Sequence, residues 1–446
     1  MFLHGNGTLA VSIRYRRASE DATGSPCLDF LPWFYYSGSR LIPDLNLHGA
    51  RTFLMALRRS LWSADIILIV AITTFVSAQD TTAFRVVRPG VRYLQVIDHA
   101  GPWVINVLEI DLRQKDLALR SVKGLDRVKG REETSSMAAR SEDSLTRVVA
   151  GVNADFFESD GEPINNQVAQ GTVVRTVSPR QVNPGDVNRP RSQFAVTVDG
   201  SVHVGNYRFF GQIIWSDGSS SSLSRVNAPP DSGTWAMYNW FSGEQTPHDS
   251  LPSSDSEIPL RALGERGDTL VYVVVGPAVQ AGGVTIPRRG AVLTRGRGYS
   301  LGTLIREGDT VRVVVCFDPQ DQPLQTLVGG MPRMVIDSSN VAGDERFMEG
   351  LPPRFSSTRN PRTGIGISCD GKRVWMVTVD GRQTFSVGMS LPEFADLLLK
   401  LGACQAINLD GGGSTTMVLE GQIVNYPSDQ TGERSVGNCL LLVARR

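Results

Sequence analysis

Residues 367–382 read ISCDGKRVWMVTVDGR, and this stretch decides the fold class. Its centre is Asp370-Gly371, followed by the apolar, β-branched run Val374 to Val379. Such runs around a two-residue Asp-Gly turn are the strongest short-range signal of a β-hairpin, because glycine enters the left-handed region without steric cost. Residues 194–204 (FAVTVDGSVHV) and 415–425 (TTMVLEGQIVN) repeat the pattern. The apolar runs at 270–275 (LVYVVV) and 311–315 (VRVVV) read as central strands.

Downstream of the first hairpin, Ser390 and Glu393 form a capping box. Leu391, Phe394, Leu398 and Leu401 follow at helical spacing, and Gly402 stands at the C-terminal cap. The spacing predicts a helix over 390–401. The apolar strand Ala406-Ile407-Asn408-Leu409 comes next, leaving Asp410 at a strand end, where loops carry chemistry. The polar stretches 183–192 and 246–257 read as surface loops. The expectation is an α+β chain with a mixed, largely antiparallel sheet and few helices.

The 446 residues suit one large domain or two intimate ones. Lys plus Arg and Asp plus Glu are 45 each, so no net field favours nucleic acid or an anionic membrane. Residues 55–80 read MALRRSLWSADIILIVAITTFVSAQD. Arg58 and Arg59, an apolar core from Ile66 to Val76, and Val76-Ser77-Ala78 have the form of a secretory signal over 55–78, cleaved after Ala78. That core is shorter than the roughly 20 residues of a spanning helix, so no stable membrane span is expected after cleavage. Residues 1–54 then read as a non-native extension before a start at Met55. Residues 79–148 form the opening strands and 149–446 the main domain of a protein exported to the periplasm or the extracellular space. Cys316, Cys369, Cys404 and Cys439 remain, with three possible pairings in an oxidising compartment; their apolar contexts equally suit buried thiols.

The most specific segment is Asn408-Leu409-Asp410-Gly411-Gly412-Gly413-Ser414-Thr415-Thr416. Consecutive glycines are kept where φ must be positive or where a ligand or another backbone approaches the main chain. No Lys follows, so a nucleotide P-loop is a poor reading; a structural Gly-rich turn is the plain alternative. A second segment is Gly151-Val152-Asn153-Ala154-Asp155-Phe156-Phe157, which by itself could be only a capped strand end. A third is Arg359-Asn360-Pro361-Arg362-Thr363-Gly364. Arginine suits bidentate phosphate binding, although a solvated surface pair explains it as well.

Asp380, in Val379-Asp380-Gly381-Arg382, is either a turn residue or a functional one. Trp235, Tyr238, Trp240 and Phe241 could stack on sugar rings but more often such residues are core. The five histidines have no metal-ligand spacing and the cysteines form no C-x-x-C. No cofactor and no metal are therefore expected, with a divalent cation on Asp155, Asp380 or Asp410 left open.

Taken in order, GVNADFF, RNPRTGIGI, VDGR, SVGMSLPEFADLLLKLGA, NLDGGGSTTMV, NYPSD and GERSVGN resemble the phosphodiester glycosidase family from about Val149 to the C-terminus. The resemblance implies a hydrolase that splits a glycosyl 1-phosphodiester, GlcNAc-like in its sugar, into free sugar and phosphomonoester. The substrate would be a sugar phosphodiester or a phosphate-containing glycan, with a link to carbohydrate metabolism and, in bacterial members, exopolysaccharide. It makes Asp410 and Asp155 the candidate carboxylates. Arg359, Arg362 and Arg382 become candidates for a phosphate clamp, and Asn153, Asp380, Asn408, Gly411, Gly412, Gly413, Ser414 and Thr415 for substrate binding. The competing class is a non-catalytic module holding an anionic polysaccharide during export or assembly. A second enzyme reading is a phosphodiesterase that breaks the phosphorus–oxygen bond.

Overall fold

The computed structural model describes residues 83–177, 191–247, 256–279, 282–296, 305–319 and 322–446, all within one compact unit, Ala78–Arg446. The proposed signal at 55–78 and the extension at 1–54 lie outside the described residues. All three turn stretches form antiparallel hairpins: Gln193–Thr197 with Val202–Gly205, Arg362–Ser368 with Arg373–Val379, and Met417–Leu419 with Gln422–Ile423. Gly371 in the deciding hairpin has φ +66° and open space where a Cβ would stand. Its role is backbone conformation and not close packing.

The α+β expectation is overturned, because β structure dominates. Among the described residues there are three α-helices, Thr134–Arg140, Pro353–Ser357 and Leu391–Leu401, against 25 strands. The capped helix is where the spacing puts it, with the Ser390–Glu393 box formed and Gly402 at φ +103°. The long helix only covers one face of one sheet, while paired strands build the rest of the core.

Three sheets surround one core. An eight-stranded antiparallel sheet runs in the order Arg85–Arg88, Val91–Asp98, Trp103–Asp111, Arg373–Val379, Arg362–Ser368, Ala403–Asn408, Arg333–Ile336, Ser339–Asn340. Leu108, Ile110, Ile365, Ile367, Met376 and Ile407 leave it on one face. They meet Ala150, Val152, Met417, Leu440 and Leu442 of a five-stranded sheet built on Thr146–Asn153 and Asn438–Arg445. Phe194, Val196 and Val328 of a second five-stranded sheet close the same core. The opposite face of the eight-stranded sheet buries Leu391, Phe394, Ala395 and Leu398 of the long helix against Ile105, Val107, Trp375 and Val377. This is the period-2 alternation of a sheet buried on both faces.

The runs at 270–275 and 311–315 belong to a closed seven-stranded barrel over residues 208–318. It is an excursion from the second five-stranded sheet, between strands Val202–Gly205 and Leu324–Gly329. Closure by pairing Arg208–Ile214 with Thr310–Asp318 removes two sheet edges. Ile213, Leu223, Met237, Ile258, Leu260, Leu293 and Val313 fill it. Trp235, Tyr238 and Phe241 are buried core, whereas Trp240 is exposed. The stretch 246–257 is not a free loop at its ends, since Thr246 donates its hydroxyl to buried Glu257. Cys369 and Cys404 form a disulfide, and Cys316 and Cys439 are free.

Candidate active site

Two strand ends from different sheets meet at the acids. Strand Ala403–Asn408 of the eight-stranded sheet delivers Asp410, and strand Thr146–Asn153 of the five-stranded sheet delivers Asp155. The Asp410 N–H donates to the Ala154 carbonyl at 2.8 Å, and Asn153 Nδ2 donates to the Asp410 carbonyl at 2.6 Å. Asn153 Oδ1 accepts from Thr363 Oγ1 (2.8 Å) and from the Thr416 N–H (3.1 Å). These bonds join the two strand ends through the Asn153 side chain.

Asp155 is buried, and both carboxyl oxygens accept from Asn165: Oδ1 from Nδ2 at 2.7 Å, Oδ2 from the N–H at 3.1 Å. Burial pushes it up to about 7 against those two bonds and Arg191, with the charge of Asp410 adding to the rise. Burial also pushes Asp410 up to about 6, while the Ser414 hydroxyl, the Gly411 amide and Arg434 draw it down. Two coupled acids with raised pKa values are the arrangement from which acid and base roles are made.

Each glycine of the triplet has its own reason. A Cβ at Gly411 would stand 2.7 Å from the Pro361 carbonyl. Gly412 has φ +61°, and a Cβ there would stand 2.9 Å from the Arg382 guanidinium. At Gly413 it would overlap Arg434 and Asp429, each 2.1 Å away. The loop is therefore a floor on which two guanidinium groups lie. Arg382 is exposed, at φ +60°, and donates to Asn360 Oδ1 at 3.1 and 3.3 Å. Arg434 is held by Asp429 at 2.7 and 2.9 Å.

The other two arginines are elsewhere. Arg362 is 3 % exposed on the helix-covered face, donating to the carbonyls of Met389, Phe355 and Thr358 at 2.9, 3.1 and 2.7 Å. Burial pushes it down to about 10. Arg359 is exposed, paired with Glu393 of the helix cap and lying over the Trp103 ring. The structure brings the Arg382 guanidinium to the glycine loop; the Arg362 backbone borders Gly411, but its guanidinium and that of Arg359 are held away from it.

Asp380 is fully buried, and its environment pushes it up to about 6, burial first. Oδ1 accepts from the Tyr426 N–H (3.0 Å) and Asn425 Nδ2 (3.2 Å); Oδ2 has no partner among the described residues. Asn425 Nδ2 also donates to the Thr415 carbonyl at 3.0 Å, tying Asp380 to the glycine loop. Asn408 Nδ2 donates to the Met331 carbonyl at 2.7 Å. Asn408 Oδ1 and the hydroxyls of Thr415 and Thr416 are buried and unpartnered among the described residues. Among the described residues no three His, Cys, Asp or Glu side chains come together as a metal-ligand group. No described helix is long and apolar enough to cross a membrane.

Arg434, Asp429, Asn165, Asn425 and Tyr426 also touch the acids or the glycine loop, and the sequence alone does not single them out. Arg434 sat in GERSVGN, where an arginine among glycines and a neighbouring acid was the available signal. Nothing local to Asn165 pointed to Asp155.

The fold and site define a β-dominated protein with a pair of buried acids beside a glycine loop that carries arginines. The resemblance to phosphodiester glycosidases is shown: residues 268–443 match the model of that family, described as phosphodiester glycosidase. The match contains Asp380, Arg382, Asp410 and Arg434 and stops short of Asp155. The chain is similar to N-acetylglucosamine-1-phosphodiester alpha-N-acetylglucosaminidase of Bos taurus, 39% identical over 116 residues, 24% of this chain and 22% of that protein. It thus spans about a fifth of the length of that curated relative. Among solved structures it is similar to a Burkholderia pseudomallei protein designated as exported, with TM-score 0.56, 26% identity, and coverage of 77% of this chain and 74% of the other. A hypothetical protein from Synechocystis shares the fold, with TM-score 0.61 at 20% identity, covering 82% of this chain and 64% of the other.

Proposed function

We propose that this chain is an exported hydrolase that cleaves a glycosyl 1-phosphodiester with a GlcNAc-like sugar, yielding free sugar and phosphomonoester. The observation that carries the reading is the junction of Asp155 and Asp410 beside the Arg382–Gly412 and Arg434–Gly413 contacts. A phosphate ester leaves readily once its charge is met, so the site must supply cations at the phosphate and a carboxylate near the anomeric carbon. Arg382 and Arg434 hold the phosphate. Of Asp410 and Asp155, both raised by burial, one stands ionised beside the anomeric carbon and the other carries the proton. In the net reaction the oxygen of water joins the anomeric carbon. The carbon–oxygen bond breaks, and its electron pair leaves on the phosphomonoester.

Hydrolysis of UDP-GlcNAc and of a methyl phosphodiester of GlcNAc in ¹⁸O-water tests this. Label in the sugar supports it. Label in the phosphate means phosphorus–oxygen cleavage, and no turnover with retention on an anionic polysaccharide means a binding module. Export rests on the 55–78 segment, and an exported chain that does not begin at Gln79 contradicts it.

A further inference from the structure

The three sheets leave their shared core open at the end away from the acids. Strand Arg362–Ser368 runs between the two places. The Pro361 carbonyl before it accepts from the Gly412 N–H at 2.9 Å, and Ser368 at its other end lines a cleft of about 1000 Å³. At about 3.3 Å per residue, that strand puts roughly 20 Å between the glycine loop and the cleft. Core residues Leu117, Val196, Val204 and Ile367 also line it, each with a small part of its surface exposed.

Around them stand five cations, Lys115, Arg120, Arg333, Lys372 and Arg445, against three acids. The acids are already engaged. Asp116 accepts from Arg88 at 2.5 Å, Asp370 from Ser368 Oγ and the Lys372 N–H at 2.6 and 3.0 Å, and Asp199 from Thr197 and the Ser201 N–H. Among the described residues no ion pair involves any of the five cations. Arg333 is paired in register with core Ile407, and its Nη2 donates to Gln405 Oε1 at 2.7 Å. Its buried Nε has no partner among the described residues. A chain whose net charge is zero thus gathers positive charge around one concave surface. No aromatic ring lines the cleft, so nucleotide bases have nothing to stack on. The amides of Gln114, Gln170 and Gln325 offer donors and acceptors to hydroxyls, and the apolar floor suits the C–H faces of a pyranose.

From this, we infer that the cleft is a second binding site, for an acidic oligosaccharide whose uronate or phosphate groups the five cations meet. It anchors one part of a polymer while the acids act on another. That role rests on the phosphodiester reading, whereas binding in the cleft does not.

Calorimetry compares wild type with Arg120→Gln/Lys372→Gln on four probes: tetragalacturonate, maltotetraose phosphorylated at O6, plain maltotetraose and tetraglutamate. At least one acidic sugar should bind wild type, and which of the two binds tells uronate from phosphate. Its Kd should rise about tenfold in the double variant and weaken with added salt, as for exposed charge contacts. No binding of either acidic sugar to wild type overturns the inference. So does a Kd that the double variant leaves unchanged; a Kd raised instead in Arg382→Ala places the sugar at the glycine loop. Equal binding of tetraglutamate overturns it in favour of an acidic peptide, and equal binding of plain maltotetraose overturns the part given to charge. For the anchoring role, KM of the double variant should rise on a polymer of GlcNAc 1-phosphodiesters and stay at the wild-type value on UDP-GlcNAc. Equal changes on both overturn anchoring. If wild type hydrolyses neither, the phosphodiester reading fails separately, and the calorimetry still decides the cleft. Melting temperatures near wild type exclude misfolding as the cause.

Discussion

The backbone N–H of Asp410 donates to the carbonyl of Ala154 at 2.8 Å, so the residue before Asp155 is stitched to the residue that opens the glycine loop. The two acids cannot move independently, and replacing each has a distinct signature. Asp410→Asn keeps the main-chain bond and removes the charge. Turnover should fall by orders of magnitude with little change in melting temperature. Asp155→Asn should also lower turnover, but it sets an amide N–H₂ against an Asn165 donor, a cost of about 1–3 kcal/mol read in a melting curve. Near-normal turnover in Asp410→Asn would remove it from the mechanism.

The pH dependence follows from burial. Burial raises Asp155 to about 7 and Asp410 to about 6, so the pair sharing a single proton is most populated between about 6 and 7. The ratio kcat/KM should peak there and fall on both sides; a flat profile from pH 5 to 9 contradicts the assignment. Stability has one sign. Asp155, Asp410 and Asp380 are all raised above the unfolded value of about 3.9, so their protonated forms favour the fold. Their contribution is complete below about pH 4 and is lost as pH rises through 6 and 7. Chemical denaturation at pH 5 and pH 8 measures this, and Asp155→Asn should flatten it.

Arg362→Ala should act on stability. It leaves three carbonyls without their shared donor and a hole beside Phe355, costing about 3 kcal/mol or more. Arg382→Ala should instead raise KM for phosphodiesters with melting temperature near wild type. The reverse pattern would return Arg362 to the phosphate.

Gly413→Ala should uncouple Arg434 from Asp429, because the methyl group occupies their positions. The expected outcome resembles Arg434→Ala: weaker phosphodiester binding, with little effect on a neutral aryl glycoside of the same sugar. Equal loss on both substrates would mean that the loop as a whole has collapsed.

Removing the Cys369–Cys404 bridge, which spans 35 residues, should destabilise the chain by about 3–4 kcal/mol if loop entropy governs. Thermal melts of the double alanine variant check this against wild type.

By itself the sequence determined what is local. Turn glycines and β-branched runs set the hairpins at 194–204, 367–382 and 415–425, and Ser390, Glu393 and Gly402 bounded the long helix, because these signals act over two to four residues. It also placed Asp410 at a strand end and marked the glycine triplet. What it could not decide is partnership between distant strands. Period-2 alternation says that Arg362 and Thr363 point to opposite faces, but not which face meets the acids; the helix Leu391–Leu401 covers the face of Arg362, and Asn153 meets that of Thr363. The barrel, the placing of Arg434 on Gly413, and the burial that raises Asp155 depend likewise on pairings across tens to hundreds of residues. Tertiary packing selects among these, since each strand edge is chemically able to pair with many others.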